Sequence, residues 1–312
     1  MTDYTKEILE KYQVRKTKKQ KNRFIGYMQS VCKDLGYEMK LEKGQLGARN
    51  IVIGDVDSAK VIYGAHYDTA PALPFPNLLT PKNMSVYMLY VLAIAAGAFA
   101  LFFGIGFLTA FFLRYLTTDR YTFVLAYNII QRGIFLVLVA LMLLGPANKH
   151  TVNDNTSGVV TLVEIMNALP PEKRAQTCFV FFDLEEMGLF GSQSFNKNHK
   201  NALKNKLVLN FDCVSDGRNM LFATKKKSRV FAEALKKAFP TSDAVDCEIA
   251  ERFVFYPSDN ISFPLGVGVA AFNKTKHGIL YVGRIHTKRD LVFRSENIEF
   301  LKEGAVGLVD LI

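Results

Sequence analysis

This chain predicts an α/β fold, with a mixed, largely parallel central sheet flanked by helices on both faces and an inserted two-helix hairpin. Three observations carry that expectation. Short apolar runs bounded by turn residues alternate with amphipathic runs, the pattern of buried strands covered by helices on both faces. Isolated histidines and carboxylates fall at the ends of those apolar runs, where an α/β sheet gathers its polar groups. Residues 84–113 hold no charged side chain at all.

The elements follow in order. A helix is predicted over 17–35, with Phe24, Met28, Val31 and Leu35 at helical spacing and Gly36 as its stop. Strand-like runs follow over 37–41, 50–53 and 61–65, separated by Gly44, Gly47 and the polar residues 55–58. Residues 70–83, APALPFPNLLTPKN, are too rich in proline for regular helix or central strand. The uncharged run 84–113 would make about 45 Å of helix at a 1.5 Å rise, against a hydrocarbon core of roughly 30 Å. A soluble helix of that length is rarely apolar on every face, so membrane insertion is expected.

A second span is predicted over 121–145, although Gln131 and Arg132 fall in its middle. An arginine at the bilayer centre costs at least about 2.5–3.5 kcal/mol. The short connector 114–120 makes a helical hairpin, which returns the chain to the side it left. The hairpin also offers a route to a homo-oligomer, with Arg132 facing either the other helix or a second subunit. Beyond it the α/β pattern resumes: helix over 159–169, strand over 177–182, and 202–205 leading into a strand over 207–211. An amphipathic helix over 230–239, a buried strand over 267–272 and a closing helix over 298–311 complete the chain. The expected organisation is a first catalytic part (1–69), the linker and hairpin insertion (70–149), and a second catalytic part (150–312).

Composition bounds the rest. At 312 residues, 49% hydrophobic and 22% charged, the chain is too apolar for disorder and too charged to lie wholly within a membrane. The net charge of +10 owes part to the run RKTKKQKNR at 15–23. No nucleic-acid motif or row of aromatic residues accompanies that run, so nucleic acid is not an expected partner. It reads as a solvated helix face, with attraction to anionic lipid as a second use. Cys32, Cys178, Cys213 and Cys247 show no CxxC spacing and read as reduced thiols of a cytoplasmic-type compartment. The first residues lack an apolar stretch, so a cleaved signal peptide is not expected. The Lys-rich N-terminus favours a cytoplasmic location for the catalytic part of an integral membrane protein, although Arg114 and Arg120 put positive charge on the far side.

The candidate site residues are dispersed. His66 and Asp68 close the run VIYGAHYDT, and their spacing of two puts them on one face, so the carboxylate can hold one imidazole nitrogen while the other binds a metal. Asp154 opens DNTSG before a helix, where by itself it reads better as an N-cap or turn cluster than as a ligand. Glu185 and Glu186 end FVFFDLEE, and two adjacent carboxylates repel unless a cation or shared proton relieves them. Asp212 ends LVLNFD, where an unpaired carboxylate is costly. His286 lies in a polar loop. Together, two histidines and three carboxylates, one of them shared, match a site for two divalent ions.

The segments GAHYDT, DNTSG, EEMGLFGS, NFDC and IHTKRD, with SDNISF at 258–263, resemble those of the M28 family of zinc-dependent aminopeptidases. The resemblance covers about 18–68 and 153–312, with the motifs in the family's order. It implies one Zn2+ held by His66 and Asp212, a second by Glu186 and His286, and Asp154 bridging both. It further implies that Asp68 orients His66 and that Glu185 is the general base. Tyr256 is the nearest match to a tyrosine that donates to the oxyanion in relatives. The chain departs from the family in its hydrophobic insertion and in reading HTKRDL where HTxxDT is usual.

The function implied is a membrane-anchored dinuclear zinc aminopeptidase acting on peptides with a free N-terminus. Alternatives on the same fold are a carboxypeptidase-type hydrolase, a glutaminyl cyclase, or a non-catalytic receptor or scaffold. Loss of ligands marks the last class, and here the ligand set is complete. Nine residues separate Gly145 from Asp154, at most about 30 Å of chain, so the bridging carboxylate is expected close to the bilayer.

Overall fold

A computed structural model of the chain describes every residue except Pro76, in the proline-rich stretch, and Phe253. The chain divides into two units, Met1–Lys82 with Ala147–Ile312, and Asn83–Pro146.

The larger unit begins with α1 (Asp3–Lys11), capped by the Thr2 hydroxyl, and α2 (Lys18–Leu35), which opens on a Thr17–Gln20 capping box. Gly36 ends α2 at φ 75°, a left-handed conformation that glycine adopts without strain. Then come β1 (Met39–Lys43), β2 (Arg49–Ile53) and β3 (Val61–His66). The hairpin unit contributes α3 (Met84–Leu116) and α4 (Arg120–Leu144), described below. After it come α5 (Gly158–Ala168), the short α6 (Pro171–Arg174), β4 (Thr177–Phe182), α7 (Phe190–Asn198), β5 (Leu207–Phe211) and β6 (Asn219–Thr224). The chain closes with α8 (Ala232–Ala238), β7 (Asp246–Ile249), β8 (Gly266–Lys274), β9 (Leu280–Tyr281) and α9 (Ser295–Leu308).

Among the described residues the strands form one mixed sheet, in the order β1-β2-β4-β3-β5-β8-β6-β7, with β9 paired to β8. Its centre is parallel: β4, β3, β5 and β8 run in one direction. The two edges, β1–β2 and β6–β7, join it antiparallel. Successive side chains of a strand point to opposite faces, and each central strand feeds two apolar layers. Val61, Tyr63, Ala65, Phe179, Phe181, Leu207, Leu209 and Phe211 pack towards α1, α2, α5, α8 and α9. Ile62, Cys178, Val180, Phe182 and Val208 pack on the other side with Phe195, Leu203 and Phe263. Being buried on both faces, these strands read as continuous apolar runs.

The basic run at 15–23 is not uniformly a solvated face. Lys18, Lys19 and Arg23 are exposed, but Arg15 is fully buried and Lys21 nearly so. Lys21 pairs with Asp183. The helix read over 230–239 is a 3-10 turn (Ser228–Phe231) followed by the shorter α8. All four cysteines are free.

The second unit consists of α3 (Met84–Leu116) and α4 (Arg120–Leu144), 33 and 25 residues long. At 1.5 Å per residue these measure about 50 Å and about 37 Å, so both are long and apolar enough to cross a bilayer. They pack through Gly106, which faces Tyr127 and Gln131, and through an edge-to-face pair of Phe102 and Phe135. Gln131 is buried and donates to the Thr109 hydroxyl at 3.4 Å. Arg132 is exposed on α4.

Candidate metal centre

The site assembles at one end of the parallel strands. His66 is the last residue of β3, and Asp68 follows on the exit loop. Glu185 and Glu186 lie just beyond β4, and Asp212 just beyond β5. Asp154 sits in the turn Val152–Ser157 that leads into α5. His286 comes from the loop after β9. Parallel register sets these positions: His66 stands opposite Phe182, so the ends of β3 and β4 are level.

All seven predicted site residues come together. Asp154 Oδ1 is 3.3 Å from His66 Nε2, while its Oδ2 is 2.9 Å from His286 Nε2. His66 Nε2 is also 3.6 Å from Asp212 Oδ1, and His286 Nε2 is 3.4 Å from Glu186 Oε2. Two clusters therefore share one carboxylate: His66, Asp154 and Asp212 on one side, and Asp154, Glu186 and His286 on the other. A third grouping draws Glu185 to His66 and Glu186. Asp68 Oδ1 lies 3.6 Å from His66 Nδ1 and accepts the backbone N–H of Glu185 at 3.0 Å; its Oδ2 accepts that of Glu186 at 3.3 Å.

The electrostatics favour cations. Burial alone would push the His66 imidazole down, yet Glu185, Asp154, Asp212 and Asp68 raise it well above its ordinary value. For His286 burial is likewise overcome, by Glu186 and Asp154. Burial pushes the Glu185 carboxyl well up, and repulsion from Glu186, Asp259 and Asp212 adds to it. Burial, with repulsion from Asp154, also raises Glu186. Glu186 Oε1 and Asp212 Oδ1 are buried without a hydrogen-bond partner. Buried polar atoms are rarely left unpaired, and five carboxylates face only two imidazoles. Such a donor set fits divalent metal ions.

Residues beyond the expected set hold these ligands still. Asn155 Nδ2 donates to the carbonyls of His66 (3.3 Å) and Phe211 (3.0 Å), and its Oδ1 accepts from Gly158 and Cys213 N–H. One amide thus ties β3, β5 and α5 together. Gly158 is required there, since a Cβ would stand 2.3 Å from the Phe211 carbonyl. Asp290 accepts the N–H groups of Asn153 (2.7 Å) and Asp154 (3.0 Å), despite the Leu291 that follows it. Asn153 Oδ1 accepts the N–H groups of Ser215 and Asp216.

Asn155 lies within DNTSG, Asn153 immediately precedes it, and Asp290 closes IHTKRD. Their polarity in or beside these motifs is the one signal the sequence carries, and nothing in spacing separates such supports from ligands. Asp259, from SDNISF, is buried beside the cluster and pushed up to about 7 by burial. Leu184 (φ 56°), Cys213 (φ 56°) and His286 (φ 60°) are left-handed at or next to site residues, a costly conformation for residues with a Cβ that concentrates at functional sites. Tyr256 is buried, and its hydroxyl donates to the Asp212 carbonyl at 2.8 Å, so here it braces the ligand-bearing end of β5.

The profile of Peptidase family M28 matches residues 141–302, just over half of the chain. No protein of curated function matches. Among solved structures, the Legionella pneumophila LapA aminopeptidase is similar at a TM-score of 0.56 and 14% identity, over 98% of this chain and 69% of that one. The Porphyromonas gingivalis glutaminyl cyclase gives 0.57 and 14%, over 99% and 95%. The Fimbriiglobus ruber glutaminyl cyclase gives 0.54 and 14%, over 99% and 93%. At such identities the likeness speaks of fold alone. His66 and Asp68 precede the matched stretch, yet they meet its carboxylates in one site. On the extent of that match, the chain belongs to peptidase family M28.

Proposed function

We propose that the chain is a membrane-anchored metallo-aminopeptidase that uses two Zn2+ to remove N-terminal residues from peptides. The observation that carries this reading is the division of Asp154, one oxygen towards His66 and the other towards His286. His66, Asp154 and Asp212 would hold one ion, and Asp154, Glu186 and His286 the other. Bound there, the pair would lower the pKa of water and stabilise the charge that develops on the scissile carbonyl oxygen.

The protein's own groups do the rest. Glu185 takes the proton from the attacking water and delivers it to the departing amine. Asp68, 3.6 Å from His66 Nδ1, would orient that ring, and through the backbone N–H groups of Glu185 and Glu186 it holds the position of the base. The surplus of carboxylates attracts the ammonium of a free peptide N-terminus. Anchoring is supported by α3 and α4, each longer than a hydrocarbon core. A cytoplasmic catalytic unit would be digested by protease added to the outside of inside-out vesicles and protected in right-side-out ones.

A glutaminyl cyclase reading is favoured by its structural neighbours. One substrate separates the two. From a peptide beginning with glutamine, an aminopeptidase releases free glutamine and leaves a peptide one residue shorter. A cyclase expels ammonia and leaves a full-length pyroglutamyl peptide. Mass spectrometry should find the shortened peptide, with its formation abolished by chelator; the pyroglutamyl product instead would overturn the aminopeptidase reading.

A further inference from the structure

Arg15, from the basic run between α1 and α2, has a side chain with no solvent exposure. Its Nε donates at 2.5 Å to the carbonyl of Tyr67, the residue between His66 and Asp68. Its Nη1 donates to the Thr156 hydroxyl at 3.2 Å, two residues beyond Asp154, and to the Tyr12 carbonyl. Its backbone N–H donates to the Thr69 hydroxyl at 2.9 Å. The Thr151 hydroxyl, at the entrance to the Asp154 turn, pairs with Thr156 and donates to the Gln13 carbonyl. The segment 12–15 therefore joins two loops that are far apart in sequence, the exit of β3 and the turn before α5.

A buried guanidinium is costly to desolvate, and among the described residues no carboxylate forms an ion pair with this one. Asp68 and Asp154 are nevertheless the charges whose attraction opposes that burial. Lysine cannot replace such a fork, because its single ammonium offers no rigid planar set of donors.

We propose that Arg15 is a positioning residue for the metal pair, fixing His66 and Asp68 relative to Asp154 by bridging their two loops. This rests on the ligand assignment above. A purely structural role would lower stability alike with and without metal; a positioning role also changes how tightly the metal is held. Outer-sphere partners of this kind typically alter metal affinity by about 10–100-fold.

The test uses the full-length protein in detergent, stripped by chelator and titrated with Zn2+ against a competing chromophoric chelator. Melting is followed in parallel with and without metal, and Co2+ serves as a spectroscopic probe of ligand geometry. The wild type binding two equivalents establishes the ligand assignment; failure there sinks that reading rather than this one.

Given two equivalents in the wild type, Arg15→Lys and Arg15→Met should each weaken Zn2+ binding about 10–100-fold and alter the Co2+ spectrum. Unchanged affinity with lowered melting would overturn the proposal. So would full affinity in Arg15→Lys beside a loss in Arg15→Met, since charge alone would then suffice. Should both fail to fold, Thr156→Val removes one arm of the bridge in a near-isosteric way. Weakened Zn2+ binding there supports the proposal, and unchanged binding overturns it.

Discussion

Glu185→Gln separates a base from a ligand at the one position where the geometry admits both. Glu185 lies close enough to His66 and Glu186 to share an ion, yet the split carboxylate of Asp154 completes two triads without it. Glutamine keeps the volume and leaves the backbone N–H that Asp68 accepts at 3.0 Å, so the loop should hold its shape. It cannot accept the proton. Loss of a general base lowers turnover by about 10²–10⁴-fold, or about 3–5 kcal/mol in the barrier.

The same change removes a buried carboxylate whose charge is disfavoured by burial and by repulsion from Glu186, Asp259 and Asp212 more than it is favoured by attraction to His66. The metal-free variant should therefore melt higher than the metal-free wild type. For a domain of about 150–250 residues each 1 kcal/mol of relief is worth about 2–4 °C. The assay pairs kcat on an aminoacyl substrate with metal content by elemental analysis and melting of the stripped protein. Full metal content, turnover down at least a hundredfold and a raised apo Tm are expected. Lost metal, or a less than tenfold change in kcat, would refute the assignment of Glu185 as base.

The remaining predictions concern pH, the core and the hairpin. His66 and His286 have folded-state pKa values raised above their unfolded ones, so the stability they contribute to metal-free protein is complete below about pH 6.5 and lost as pH rises through the folded values. Raised Glu185 and Glu186 act in the same sense above their ordinary range. Chelated protein should thus melt lower at about pH 8.5 than at about pH 6, and Zn2+ should restore more at the higher pH because it binds deprotonated ligands; a flat or rising apo curve would contradict this. Tyr63→Phe strips a buried hydroxyl from the Ala305 carbonyl, 2.7 Å away, and should cost about 1–3 kcal/mol in denaturant melts without altering metal content. Arg132→Leu removes an exposed cation from mid-α4 and should leave membrane insertion and peptidase activity unchanged; loss of an oligomer or of activity on that substitution would give Arg132 a working role.

Much of this architecture is legible because burial on two faces leaves a plain trace. The strands Thr177–Phe182 and Leu207–Phe211 are continuous apolar runs whose bounds can be read directly, and the carboxylates that follow them stand out against that background. The edge strand Asp246–Ile249 has no such trace, because it is largely exposed and its sequence, DCEI, is half charged. The first helix, Asp3–Lys11, buries only Thr5 and Ile8 and so lacks a wide apolar stripe. Buried charge is the hardest to read. Arg15 and Lys21 look like their neighbours Lys18 and Lys19, and only the fold sets them under the β3 exit loop and against Asp183. Likewise nothing in spacing distinguishes Asp290, which orients a loop, from Asp212, which faces His66.

The measurement that bears most directly on the shared site is a Zn2+ titration of stripped wild type, Asp154→Asn, Asp212→Asn and His286→Ala, read as ions bound per chain. Two ions in the wild type, one in each of Asp212→Asn and His286→Ala, and a failure of both sites in Asp154→Asn are expected. A wild type that binds a single ion, or an Asp154→Asn variant that still binds two, would contradict a metal pair built on one carboxylate.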